Sequence, residues 1–187
     1  MEICSTSLNN LLLLKPRIFS DERGSFIKQF SSEIFSSHRL DTDFTEAFYS
    51  VSKKGVLRGM HFQTPPKEHT KLVFVSNGAI LDVCVDLRRN SPTFRQSFSV
   101  ILDSTNHLCL YIPKGFAHGF LSLCESSKVH YMQTSCYDKS CDSGIAFDSF
   151  GFDWHSVAKS HDIEDFTISP RDREFESLEA FCQRGLF

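Results

Sequence analysis

The feature that most restricts the fold is a succession of short runs rich in β-branched and aromatic residues, extending from about residue 10 to residue 136. The clearest case is KLVFVSNGAILDVCVDL at residues 71–87, where two such runs flank the pair Asn77-Gly78. An Asn-Gly pair in this setting is the strongest short-range hairpin signal. The 19 phenylalanines, many alternating with polar residues, also suit a β core. The sequence therefore predicts a mainly all-β protein, folded as an antiparallel sandwich, jelly roll or barrel.

Helical signals are few. Residues 31–35 could open a short helix, and a second helix is predicted near the C-terminus, where Phe175, Leu178 and Phe181 share one face. The 187 residues contain no internal repeat, low-complexity segment or Pro/Gly linker. We therefore expect one domain that spans residues 1–187.

Charge and hydrophobicity exclude several functional classes. The net charge is −3 and the basic residues are dispersed, so the sequence offers no basic patch of the kind that binds nucleic acid or an anionic membrane. No apolar run approaches the roughly 18 residues that suggest a membrane span. Residues 11–14 are too short for the core of a signal peptide. The seven cysteines are odd in number and form no CxxC pair, so we expect reduced thiols in a cytoplasmic protein.

The segment GVLRGMHFQ, residues 55–63, places two polar side chains among glycine and apolar residues. Arg58 and His61 are three residues apart, so a regular strand would point them to opposite faces. A bulge at Gly59 would be needed to turn both inward. From this segment alone, a hydrogen-bonded core histidine and a surface arginine are the simpler interpretation.

Four other residues are chemical candidates by their type. Lys71 opens an apolar strand, where it could protect a sheet edge or, inside a pocket, stabilise an enolate or a phosphate. His118 follows a Pro/Gly turn, and Tyr131 lies in a predicted strand, so each could be a core residue or a proton carrier. Asp172 could begin a helix or hold a distant histidine in one tautomer.

In order and spacing, these segments resemble the dTDP-4-dehydrorhamnose 3,5-epimerase family of cupin-fold enzymes. The resemblance extends from PRIFSDERGSF at residues 16–26 to ISPRD at residues 168–172, and so covers most of the chain. Three long runs carry it most specifically: GVLRGMHFQ, DVCVDLRRNSPTF and IPKGFAHGFLSL. The cupin spacing is also present, with Gly55 six residues before His61 and Pro-x-Gly-x-x-His ending at His118.

The resemblance implies a cupin-type double-stranded β-helix, or jelly-roll barrel, that works as a homodimer on a nucleoside-diphosphate sugar. The implied reaction is epimerisation of a 4-keto-6-deoxy or related 4-keto sugar at C3, C5 or both, through an enolate. Its implied place is deoxysugar biosynthesis for surface polysaccharide. Such proton transfer needs no metal and no redox cofactor, and the sequence contains no GxGxxG or P-loop motif.

The resemblance also implies a role for each matching residue. His61 matches the catalytic base, and Asp172 matches the carboxylate that pairs with it. Lys71 matches the lysine near the ketone oxygen, and Tyr131 matches the tyrosine that acts as the acid on the opposite sugar face. The residues at substrate-contacting positions are Phe19, Arg23, Lys28, Glu46, Phe48, Arg58, His118 and Tyr137.

The chain departs from the family pattern at the nucleotide end of the implied site. Lys28 stands where the family usually has glutamate, and residues 46–48 read Glu-Ala-Phe instead of Gln-Asp-Asn. The proton-transfer residues are intact. The nucleotide therefore stays open among dTDP, GDP and CDP, and so do the sugar and the number of inverted carbons.

Three alternatives compete with this interpretation. A related enzyme could epimerise only C3 or only C5, or could be a ketoisomerase, because these enzymes share the base. A metal-dependent cupin would normally carry His-x-His, but Gln63 takes the second position, although His69 could compensate. Lys71 would also repel a cation. A non-catalytic sugar-binding cupin would lack the base, the acid or the carboxylate, and all three are present.

Overall fold

The computed structural model describes residues 1–187 as thirteen strands and four short helices. The first six strands are β1 (Glu2–Ser5), β2 (Leu12–Lys15), β3 (Ile18–Asp21), β4 (Gly24–Ile27), β5 (Glu46–Ser52) and β6 (Leu57–Gln63). The remaining strands are β7 (Lys71–Asn77), β8 (Ala79–Asp86), β9 (Ser97–Asp103), β10 (Cys109–Ile112), β11 (Phe116–Ser122), β12 (Ser127–Gln133) and β13 (Asp142–Gly144). The helices are α1 (Ser32–Ser37), α2 (Trp154–Ser160), α3 (Pro170–Arg173) and α4 (Leu178–Arg184).

Two antiparallel sheets face each other. The first has the order β1-β2-β10-β7-β12-β5, and the second has the order β13-β6-β11-β8-β9. Strands β3 and β4 form a separate hairpin. Side chains of both sheets share one buried cluster, which includes Val73, Val75, Leu110, Ile112, Val129, Ile80, Cys84, Leu102, Phe116 and Phe120. The predicted all-β class is thus confirmed.

Strand β8 is buried on both faces because it separates two cores. Ile80 and Cys84 belong to the cluster between the sheets. Leu81, Val83 and Val85 point the other way, into a second cluster that the C-terminal helices α2 and α4 complete. This burial explains why β8 reads as a nearly continuous apolar run.

The hairpin predicted at Asn77-Gly78 is wrong, although both flanking strands form. Strand β7 pairs with β10 and β12, whereas β8 pairs with β9 and β11 in the opposite sheet. Gly78 has a φ of +75°, and a Cβ there would lie 2.5 Å from the carbonyl oxygen of Ser126. The Asn-Gly turn therefore carries the chain from one sheet to the other, because tertiary packing selects the partners of each strand.

The predicted helices are confirmed with one change of boundary. Helix α1 forms where residues 31–35 suggested it. Helix α4 begins only at Leu178, because the Ser177 side chain caps it by accepting a hydrogen bond from the Ala180 N–H. Phe175 therefore lies before the helix, and its ring packs 5.6 Å from that of His61. No helix has the length and apolar character that crossing a bilayer requires.

The bulge at Gly59 that would be needed to turn Arg58 and His61 inward is present in the register between β6 and β11. His61 lies opposite His118 and Arg58 lies opposite Phe120, so three steps along β6 match two along β11. Gly59 has a φ of +137°, and a Cβ there would lie 2.5 Å from the Cα of Gly119. The extra residue turns Arg58 and His61 to the same side of the sheet.

Candidate active site

A cavity of about 500 Å³ opens between the two sheets, a size suited to a small-molecule ligand. It is lined from one sheet by β5, β7 and β12 and from the other by β6 and β11. The predicted site residues that line it are Glu46, Phe48, Arg58, His61, Lys71, His118, Tyr131 and Tyr137. The fold therefore brings most of the predicted site together.

His61 forms a pair with Asp172 at the wall of this cavity. The His61 Nε2–H donates to Asp172 Oδ1 over 2.9 Å. The Asp172 side chain is only 6% exposed, and its Oδ2 accepts the Gly59 N–H at 3.2 Å. Helix α3 holds this carboxylate in place, because the capping side chain of Ser169 accepts the Asp172 N–H. With Nε2 engaged, Nδ1 is the ring nitrogen free to take a proton.

The surroundings of the pair favour a neutral imidazole beside an ionised carboxylate. Burial lowers the pKa of His61 below its usual value, although the carboxylate of Asp172 opposes the shift. Burial alone would raise the pKa of Asp172, but the hydrogen bonds from His61 and Gly59 outweigh it and hold that pKa below its usual value. A neutral histidine supported by a carboxylate has the form that a general base requires.

Lys71 lies close to this pair at the start of β7. Its Nζ donates to the main-chain oxygen of His61 over 3.3 Å. Burial lowers the pKa of Lys71 to about 8, and the nearby Asp82 and Asp142 oppose that shift. A lysine of this kind is cationic at neutral pH and suited to stabilising a negative oxygen that forms nearby.

Tyr131 enters the cavity from β12, in the sheet opposite His61. Its ring stacks on Phe48, with centroids 4.9 Å apart and planes 19° apart. Its hydroxyl lies 3.3 Å from Ser50 Oγ. Burial raises the pKa of Tyr131 above its usual value, so the phenol keeps its proton at neutral pH.

Arg58 and His118 are each held by a buried partner. The Arg58 Nε–H donates to Ser52 Oγ over 3.0 Å. His118 Nε2 lies 2.9 Å from Asp82 Oδ2, and both side chains are almost fully buried. These contacts fix the two side chains at the cavity wall before any ligand arrives.

The cavity mouth contains two charged residues that sequence reasoning missed. Arg171 and Asp142 line the cavity and form an ion pair with a 2.6 Å contact. The Tyr137 hydroxyl donates to the same carboxylate at 3.2 Å. Arg171 directly precedes Asp172, so its position in ISPRD was an available signal. Asp142 belongs to no sequence motif that would have marked it as a candidate.

Glu46 is anchored at the same end of the cavity. Its Oε2 accepts from Gln133 Nε2 at 2.6 Å and from the Tyr137 N–H at 3.2 Å. A carboxylate only accepts hydrogen bonds, whereas the amide that the resemblance implies at this position would also donate them.

Three predicted substrate-contacting residues lie away from this cavity. Phe19 and Arg23 belong to the β3–β4 hairpin, and Lys28 follows that hairpin on the surface. Phe19 is 56% exposed, and Arg23 pairs only with Asp21 of its own turn. Within one chain, these residues do not join the site.

The side chains around the cavity do not converge as metal ligands. No group of three or more His, Cys, Asp or Glu is arranged to hold an ion. His69 does line the cavity, but its Nδ1 lies 3.3 Å from the amide nitrogen of Gln63. That amide is itself fixed, because Gln63 Oε1 accepts the Asp138 N–H.

A family profile described as dTDP-4-dehydrorhamnose 3,5-epimerase matches residues 5–180. The chain belongs to this family. It is 41% identical over 175 residues to the dTDP-4-dehydrorhamnose 3,5-epimerase of Methanothermobacter thermautotrophicus, with 92% of each protein covered. The family members named in this way are epimerases, which belong to the isomerase class.

Solved structures of the dTDP-4-dehydrorhamnose 3,5-epimerase family share this fold. The enzyme from Bacillus anthracis, solved with TDP and PPi bound, has a TM-score of 0.87 and 35% identity, with 94% of this chain and 98% of that chain covered. An epimerase from Legionella pneumophila, in complex with dTDP-4-keto-L-rhamnose, also has a TM-score of 0.87 and 35% identity, with 95% and 93% covered. The cupin-like jelly roll expected from the sequence is therefore confirmed.

Proposed function

We propose that this chain inverts carbons next to the ketone of a nucleoside-diphosphate 4-keto-6-deoxy sugar, at C3, C5 or both. One observation carries the proposal: a carboxylate-supported histidine and a protonated tyrosine enter one cavity from opposite sheets. Inversion of a carbon requires a base on one face and an acid on the other. The TDP bound to one relative and the dTDP-4-keto-L-rhamnose bound to another support this substrate class.

The first step is removal of the proton next to the ketone. Nδ1 of His61 takes that proton, and Asp172 stabilises the imidazolium that results. The electron pair moves onto the C4 oxygen and forms an enolate. The cationic Lys71 stabilises this oxygen, and a preorganised group of this kind contributes about 3 kcal/mol in comparable sites.

The second step returns a proton from the opposite face. Tyr131 donates its phenolic proton to the carbon, and the ketone re-forms with inverted configuration. Arg58, Arg171 and His118 bind the anionic and hydroxyl groups of the substrate. Asp142 places the Arg171 guanidinium at the cavity mouth, where a diphosphate would pass.

The proposed assembly is a homodimer in which the β3–β4 hairpin of one chain reaches the cavity of its partner. Ile18, Phe19 and Phe26 leave this hairpin unusually apolar for an exposed segment. The edge strand β5 beside the cavity is also apolar on its surface, through Tyr49 and Val51. This arrangement would bring Phe19 and Arg23 to a site that their own chain does not reach. The proposed location is the cytoplasm.

Deuterium incorporation tests the proposal directly. The protein is incubated in deuterated water with dTDP-, GDP- and CDP-linked 4-keto-6-deoxy sugars, and NMR follows solvent deuterium at C3 and C5. We expect exchange and inversion with one of these nucleotides, and the labelled positions then identify the inverted carbons. His61→Ala should lower the exchange rate by about 10²- to 10⁴-fold.

A matched control is His38→Ala, which removes an exposed histidine at the end of helix α1, outside the cavity. It should leave exchange unchanged. An absence of exchange with every sugar, or wild-type exchange by the His61 variant, would overturn the proposal.

A further inference from the structure

We propose that Ser50 is a positioning residue that holds the Tyr131 phenol and relays a proton back to it after each inversion. The inference rests on the proposed function and adds a residue that the resemblance did not assign.

Ser50 and Phe48 together hold Tyr131 from the neighbouring strand. Strand β5 pairs with β12 so that Phe48 lies opposite Tyr131 and Ser50 lies opposite Val129. Residues two apart on a strand share a face, so Phe48 and Ser50 both line the cavity. Phe48 covers the tyrosine ring, and Ser50 Oγ lies 3.3 Å from its hydroxyl. No other side chain or backbone group of the protein hydrogen-bonds that hydroxyl.

This single contact matters because Tyr131 becomes an anion when it gives up its proton. The phenol is buried, so the tyrosinate lacks the hydration that would stabilise it in water. A hydroxyl that donates to a charged oxygen forms a shorter and stronger bond than the neutral contact. A separation of 3.3 Å before the reaction is compatible with this role, since catalytic hydrogen bonds tighten as charge develops.

Ser50 is also placed to reconnect Tyr131 with water. It lines the cavity and is half-buried, whereas the Tyr131 side chain is buried. After inversion, Ser50 Oγ–H gives its proton to the tyrosinate and takes one from a water molecule in the cavity. The imidazolium of His61 releases the abstracted proton to water. The two transfers balance, and both residues return to their starting states.

The neighbouring serine has a separate task. Ser52 is buried and accepts from Arg58, so this residue fixes the guanidinium and not the phenol. Ser50 is thus the one hydroxyl of β5 directed at Tyr131.

Three substitutions at position 50 isolate the hydroxyl group. Ser50→Ala removes it, and Ser50→Thr and Ser50→Val form a matched pair of equal shape that differs only in the hydroxyl. We expect Ala and Val to slow inversion by about 10- to 100-fold, the range for a lost hydrogen bond to a charged group. Thr should keep inversion close to the wild-type rate. His61-dependent deuterium exchange at the first carbon should change less than inversion in all three variants.

A double-variant cycle shows whether Ser50 acts through the tyrosine. In a Tyr131→Phe background, Ser50→Ala should cause no further loss of inversion. Wild-type inversion by Ser50→Ala and Ser50→Val, equal defects in Thr and Val, or an undiminished effect of Ser50→Ala in the Phe background would each overturn the inference. Failure of the proposed function is distinguishable, because the wild-type protein would then show no exchange at all.

Discussion

The Nε2 atom of His61 lies 2.9 Å from Oδ1 of Asp172, although 111 residues separate the two positions. The bulge at Gly59 turns the imidazole toward the cavity, and helix α3 carries the carboxylate to it. The contact leaves Nδ1 as the only ring nitrogen able to accept a proton. In the proposed mechanism, Nδ1 is therefore the atom that acts as the base.

Asp172→Asn should weaken the base. The amide keeps the shape of the carboxylate but does not stabilise an imidazolium by charge, so we expect deuterium exchange to fall by about 10- to 100-fold. The lost carboxylate also raised the pKa of His61, so the acid limb of the pH–rate profile should move to lower pH. Asp153→Asn, which alters a capping residue of helix α2, serves as the control. An unchanged rate would show that Asp172 is not needed.

Lys71 should govern the alkaline limb of the same profile. The base is lost as pH falls through the lowered pKa of His61, and the lysine charge is lost as pH rises through about 8. We expect Lys71→Arg to move the alkaline limb upward, because a guanidinium stays charged. Lys71→Met should lower the rate by about 10²-fold and remove that limb. An alkaline limb that is the same in all three proteins would rule out this assignment.

Tyr131→Phe should separate the two proton transfers. The variant retains His61, so solvent deuterium should still enter the substrate, while inversion falls by about 10²- to 10⁴-fold. The ratio of labelled substrate to inverted product, measured by NMR, shows how far removal of the proton continues without its return from the opposite face. Tyr49→Phe, on the exposed part of β5, should behave like the wild type. Equal losses of exchange and inversion would contradict the assignment of Tyr131 as the acid.

Mixing two inactive variants tests the proposed homodimer. If one chain provides the cavity and its partner provides the hairpin, a dimer of His61→Ala with Arg23→Ala contains one intact site. Random exchange of subunits then restores about a quarter of the wild-type sites. We expect activity to reappear on mixing and light scattering to report a dimer. A monomer, or a mixture no more active than its parts, would refute the arrangement.

Local sequence patterns predicted where the strands and helices of this fold lie better than they predicted which strands pair. The two-residue period of a strand showed that Arg58 and His61 could share a face only through a bulge at Gly59, but it did not decide whether that bulge forms. The Asn77-Gly78 turn was also visible, but its local geometry does not determine whether the next strand joins the same sheet. Packing between the sheets decides that question, so the hairpin prediction failed.

The same limit applies to the candidate active site, where local patterns do not predict which distant residues meet. His61 and Asp172 were paired only through the resemblance, since no local rule connects residues so far apart. Arg171 and Asp142 meet because β13 lies beside β6 and α3 packs near it. That contact depends on the tertiary fold alone. Phe19 and Arg23 illustrate a further limit, because one chain does not bring them to the cavity.

Gly59→Ala should destabilise the fold and damage the site together. A side chain at φ +137° costs about 1–3 kcal/mol in strain, and its Cβ would also meet the Cα of Gly119 at 2.5 Å. Overpacking adds about 1–3 kcal/mol. Gly151→Ala is the matched control, because Gly151 also has a positive φ but a Cβ there meets nothing within 4 Å. It should cost only about 1–2 kcal/mol.

Urea unfolding of both variants measures these free energies, and deuterium exchange measures the site. We expect Gly59→Ala to lose more stability than Gly151→Ala and also to lose exchange, because displacing β6 from β11 disturbs the bulge that turns His61 toward the cavity and the Gly59 N–H that holds Asp172. Equal losses of stability, with exchange retained in both variants, would show that the close approach of Gly59 and Gly119 does not set the position of the base.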